Sequence, residues 1–171
     1  MNNDIANALD NTRKHLLSAI EVFTPAQFNR VPFENSWTPG QVAEHLLKAD
    51  GGALEMIHGA TAITDRQPDE KNEIVSAIFL DFNTKMKSPD FILPSSEPKD
   101  KNNMLQQLND KLAGLAQAAR EMDLTRTCTA FELPGLGLLT RLEWLNFANV
   151  HTRRHIHQLE NIHKVTAGVI Q

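Results

Sequence analysis

The stretch that decides the fold is TRLEWLNFANVHTRRHIHQLENIH, residues 140–163. Thr140 and Glu143 have the spacing of a capping box, and Leu139 and Trp144 are placed for a hydrophobic staple. The box predicts a helix that starts at Thr140 and runs to about His163. Each helical residue turns about 100°. With Leu145 at zero, His155 falls near −80° and His151 near −120°, on the side of Ala148, Leu159, Trp144 and Ile162. Both histidines therefore lie in an apolar stripe, one turn apart.

The same start grammar occurs earlier, at Thr38-Pro39-Gly40-Gln41. Thr38 can cap, Pro39 suits the first helical position and Gln41 can complete the box, with Trp37 and Val42 as a staple. This helix is expected to run to about Thr64, where Asp65-Arg66-Gln67-Pro68 breaks it. With His45 at zero, Ile63, Met56, Ala49, Val42 and Ala60 all fall within about 60°, whereas His58 falls near 220°. His45 is thus on the apolar face and His58 on the polar one. Two further helices follow from periodicity, Asp4 to Phe23 and Asp100 to Met122. Thr24-Pro25 ends the first.

Residues 65–99 form a long insert. Ile74, Val75, Ile78, Phe79, Phe82 and Met86 predict an additional amphipathic helix, and Pro89, Pro94 and Pro98 an extended crossing segment. Strand signals are thin. The expectation is an all-α four-helix bundle with a long crossover between helices 2 and 3 that carries an extra helix. Such a crossover lets those two helices run parallel. A length of 171 residues suits one domain, 1–171.

The polar inventory narrows the chemistry. The chain has one cysteine (Cys128), no tyrosine and seven histidines. A lone cysteine excludes an intramolecular disulfide and any metal site that needs two thiolates. Its default role is buried filler. Net charge is −4, from 17 basic and 21 acidic residues, which argues against nucleic acid as a partner. No apolar run approaches a membrane span, and no signal peptide is visible, so a cytoplasmic location is expected.

Three histidines on apolar faces of two helices, His45, His151 and His155, suit one metal ion with an open position for water or substrate. Zinc fits, and nickel or another imidazole-tolerant ion is an alternative. A core histidine satisfied by a carbonyl is the ordinary reading of any one of them. A rival di-metal site would use Glu55 with His58, Glu160 with His163, and Glu21 and Glu121. The angles oppose it, because Glu55 and His58 fall on the solvent side. Arg153 and Arg154 flank the histidine pair; a solvated face is their ordinary reading, and steering of an anionic substrate the alternative. Glu44 and His157 read as surface residues, and His15 lies off the main stripe of its helix. No separate general base is evident.

Residues 36–46, SWTPGQVAEHL, and 144–159, WLNFANVHTRRHIHQL, resemble the two signatures of the DinB/YfiT-like family, the DinB superfamily. The resemblance implies a four-helix bundle with a divalent metal on a histidine triad, and His45, His151 and His155 match the three positions. It implies a metal-dependent transferase or hydrolase acting on a small molecule, with a low-molecular-weight thiol as one substrate class, and often a homodimer. A non-catalytic metal-stabilised bundle or protein-interaction module is the alternative. The insert and the loop 128–139 are expected to shape a pocket mouth.

Overall fold

The structure, a computed structural model, describes residues 1–168; the last three residues of the expected domain lie outside it. Helix α1 spans Asn2–Glu21 and buries Leu9, Leu16 and Ile20. Thr24-Pro25 does more than end it. Thr24 and Gln27 make a capping box that starts a short helix, α2, Pro25–Phe28, and Phe28 is fully buried.

Helix α3 spans Pro39–His58 and opens on the expected box: the Thr38 hydroxyl accepts the Gln41 N–H at 3.0 Å and the Gln41 carbonyl accepts the Thr38 N–H at 3.0 Å. It stops short of the expected Thr64. Gly59 is extended, and the chain pairs as strand β1, Thr61–Ala62, with strand β2, Thr127–Cys128, in antiparallel register Thr61 to Cys128. Ile63, placed on the apolar face by continuing the helical phase, is 82 % exposed. The phase argument fails there because the helix has already ended, and a small sheet stands where none was expected.

The insert carries helix α4, Asn72–Leu80, shorter than the expected run to Met86. Asp81 ends it: its carboxylate accepts the Asn83 N–H at 3.1 Å and the Thr84 hydroxyl at 2.6 Å, a local turn that competes with helix. The crossing segment that follows contains one 3₁₀ turn, Asp90–Ile92. Helix α5, Lys101–Glu121, is capped by Asp100, which accepts the Asn103 N–H at 2.7 Å. Helix α6 runs Arg141–Gly168, five residues past the expected end.

The four long helices form a ring in the order α1, α5, α3, α6. Their ends fix the directions. Gly40, in the first turn of α3, lies against Lys99, two residues ahead of α5, and β1 and β2, after the same helices, pair; Asn29, at the end of α2, exchanges hydrogen bonds of 2.8 and 2.6 Å with Lys99. Helices α3 and α5 therefore run parallel, as the long crossover permits. Gly40 sits at this close approach; a Cβ there would meet Lys99 Cγ at 3.0 Å and the Phe28 carbonyl at 3.1 Å. Arg141 at the start of α6 donates to the Ile57 carbonyl at the end of α3 at 2.7 Å, so these two helices are antiparallel. Leucines from all four, among them Leu9, Leu46, Leu112, Leu115, Leu145 and Leu159, fill the core. Among the described residues, no helix is long and apolar enough to cross a membrane.

Candidate metal centre

His45 lies two turns into α3, 2 % exposed, with the Trp37 ring packed against it at 5.1 Å. Its Nδ1 is 3.0 Å from the Ile92 carbonyl and 3.4 Å from Ser88 Oγ. A carbonyl only accepts, so Nδ1 carries the proton and Nε2 is left with its lone pair. His155 on α6 repeats the arrangement locally: its Nδ1 is 2.7 Å from Gln158 Oε1, three residues along the same helix. His151, 5 % exposed, is held by rings instead, stacked on Phe147 at 5.2 Å and edge-on to Phe79 at 5.6 Å. Its Nδ1 is buried without a partner.

The three Nε2 atoms converge. His151 Nε2 lies 3.2 Å from both His45 Nε2 and His155 Nε2, and all three ligand atoms are within 4.8 Å of one another. Tetrahedral imidazole ligands at about 2.0–2.1 Å from zinc stand about 3.3 Å apart. The charge state suits the same role. Burial lowers the pKa of His45, pushes His151 well below its ordinary value, and takes His155 to about 3. The neighbouring imidazoles and the Lys48 and Arg154 cations act in the same direction. At neutral pH the rings are neutral. Two of the Nε2 lone pairs face a third imidazole that has one proton at most to offer, so hydrogen bonding cannot satisfy the cluster. A divalent cation satisfies all three, and the donor set fits one.

The other candidates disperse. Glu55, His58, Glu21 and Glu121 are exposed. Glu160 pairs with His15 at 2.7 Å, and His163 turns its ring edge-on to Phe23. Among the described residues, His45, His151 and His155 are the one group of three or more His, Cys, Asp or Glu side chains at ligating distance, so the di-metal alternative is not assembled. Arg153 is exposed. Arg154 is no solvated side chain: it donates to the carbonyls of Phe79, Asp81 and Thr84 and clamps the end of α4 to α6. His157 is half-buried and stacks on Phe82 at 4.3 Å. Cys128 is buried filler, its thiol pushed up to about 11 by burial.

Four contributors were missed at the level of sequence. Gln158 was legible, since i, i+3 spacing puts it beside His155. The Ile92 carbonyl was not, because a backbone group carries no residue signature. Glu44 is no free surface side chain; it holds the crossing segment. Asp50, fully buried on α3, has both oxygens 3.3 Å from the Thr152 hydroxyl, next to His151.

Fold and site together define a class: a four-helix bundle with a long crossover, closed around a three-histidine cluster on two antiparallel helices. The chain belongs to the DinB superfamily, whose family model matches residues 8–159. It is 25 % identical over 139 residues to the uncharacterized protein YuaE of Bacillus subtilis (strain 168), covering 80 % of this chain and 83 % of that one. Two solved structures share the fold. TT2238, described as a four-helix bundle protein, superposes with TM-score 0.60 at 20 % identity over 94 % of this chain and 99 % of its own. YfiT from Bacillus subtilis, described as a probable metal-dependent hydrolase with an unusual four-helix bundle topology, gives 0.62 at 16 % identity over 95 % and 86 %.

Proposed function

We propose that His45, His151 and His155 bind one divalent ion, zinc or nickel, and that the chain is a metal-dependent enzyme acting on a small molecule. The reaction is a transfer to or from a low-molecular-weight thiol, or a hydrolysis. The observation that carries this reading is the convergence of three neutral imidazoles on their Nε2 atoms, with the Nδ1 protons of two of them already given to acceptors. The description of YfiT supports it. The three imidazoles would hold a divalent ion, which when bound would supply Lewis acidity toward water or a thiol. The chain's own residues keep the site dry and oriented: Trp37, Phe79 and Phe147 pack on the ligand rings, while Ile92 and Gln158 hold two of them by Nδ1.

Elemental analysis of the purified protein and of His151→Ala tests the assignment. One ion per chain falling to none in the variant is expected; equally low content in both would sink it. Turnover assays with thiol and electrophile pairs and with simple esters and amides then test catalysis. Metal-dependent stability without turnover of any of them would favour the non-catalytic, metal-stabilised bundle. We further propose that residues 1–171 form one domain that acts in the cytoplasm as a homodimer, for which sedimentation velocity is the check.

A further inference from the structure

The three ligand histidines differ in what holds them. His155 takes its orientation from Gln158 on its own helix, and His151 from rings on α6 and α4. Only His45 hydrogen-bonds through Nδ1 to a segment remote in sequence, the crossing chain between α4 and α5. That chain is fastened along the first three turns of α3. The Lys48 ammonium donates to the Leu93 carbonyl at 2.7 Å, and Gln41 Nε2 donates to the Ser95 carbonyl at 3.2 Å. Glu44, next to His45, makes the remaining ties with one oxygen. Its Oε2 accepts the Ser95 N–H at 2.8 Å and pairs with Lys99 Nζ at 3.0 Å. Both side chains of the pair are largely covered, Lys99 at 6 % and Glu44 at 16 % exposure.

We propose that Glu44 is a positioning residue of the metal centre, acting through the crossing chain to hold the Ile92 carbonyl on His45 Nδ1. This rests on the metal assignment made above. Ser95 is three residues from Ile92, and three residues of extended chain reach at most about 10 Å. With Leu93 tied to Lys48, and Ser95 tied to Glu44 and Gln41, the turn that carries the Ile92 carbonyl is held against α3. Once the anchor is lost, the carbonyl no longer dictates which His45 nitrogen carries the proton, and one ligand of three loses its orientation. Removal of such an outer partner of a metal-bound histidine typically weakens metal affinity about 10–100-fold.

The experiment titrates Co(II) into metal-free wild type, Glu44→Ala, Glu44→Gln and Ser95→Pro, with Glu55→Gln as an exposed-carboxylate control. In parallel, imidazole ¹⁵N spectra of the metal-free proteins report the tautomer of each histidine. Co(II) affinity should fall about 10–100-fold in Glu44→Ala. Glu44→Gln, which can still accept the Ser95 N–H, should recover most of it. Ser95→Pro, which removes that N–H, should resemble Glu44→Ala and stands in for it should the alanine variant not fold. His45 should change from one Nδ1-protonated form to a mixture while His155 stays unchanged. Unaltered Co(II) affinity together with an unaltered His45 tautomer overturns the proposal. A wild type that takes up no Co(II) overturns the metal assignment instead; the tautomer spectra then decide the role of Glu44 by themselves.

Discussion

Helices α3 and α6 both begin with a threonine hydroxyl that accepts the N–H three residues on, and each carries one fully buried carboxyl. On α6 that carboxyl is the box residue itself. Glu143 accepts two charge-assisted bonds from Arg66, at 2.6 and 2.7 Å, plus the N–H groups of Lys71 and Thr140. Burial raises its pKa, but these partners outweigh burial and the net displacement is downward. On α3 the box residue is a neutral amide, and the buried carboxyl, Asp50, meets a single hydroxyl. Burial dominates and pushes Asp50 up to about 8. Two carboxyls closed to solvent thus give an ion in one helix and a neutral acid in the other. Asp50 lies deeper and has one uncharged partner, and the depth of burial together with the count and charge of the partners decides the outcome.

The contrast has consequences of graded size. Glu143→Ala strands Arg66 and frees the start of the insert, so it should cost about 3 kcal/mol or more in chemical denaturation at pH 7. The pairing that stabilises the wild type is present above the ordinary carboxylate pKa and is lost as pH falls through the lowered native one. The gap between wild type and Glu143→Gln should therefore close in acid. Denaturation curves that differ by less than 1 kcal/mol at pH 7 would erase the distinction between the two helices.

Next in size is the tie internal to α6. Gln158→Leu should weaken Co(II) binding about 10–100-fold in a calorimetric titration, with the fold intact by circular dichroism.

Asp50→Asn should act with the opposite sign to Glu143→Ala. The native acid stays protonated up to about pH 8, whereas the unfolded one ionises near 3.8, so wild-type stability falls as pH rises across that interval. Each tenfold difference in proton affinity is worth about 1.4 kcal/mol. The asparagine variant should therefore be more stable at pH 8 by at least about that much, with the advantage vanishing below pH 4. A pH-independent difference in melting temperature would mean that Asp50 is not the titrating group. The smallest effect belongs to the amide box: Thr38→Ala should cost about 1 kcal/mol, read by urea denaturation.

Both capping boxes, the apolar stripes and the placing of His45, His151 and His155 on buried faces were legible from residue spacing, because a cap spans four residues and a helical face repeats every 3.6. The triad is legible in the sequence because its members sit on the apolar stripes of two long helices. Helix ends were less legible. Gly59 and the Asp81 turn act through a local backbone choice that hydrophobic periodicity does not register. Glu44 was misread for a different cause: the polar face of α3 is polar because a polar chain crosses it, and solvent and a covering segment call for the same residue types.

By itself, then, the sequence determined four amphipathic helices, the long crossover and which histidines point inward, all consequences of short-range geometry. Only the tertiary structure decided which nitrogen of His45 holds the proton, what covers Glu44, and why Asp50 is neutral while Glu143 is charged. Those outcomes depend on desolvation and on partners 47 to 102 residues away, and a local pattern carries no information about either.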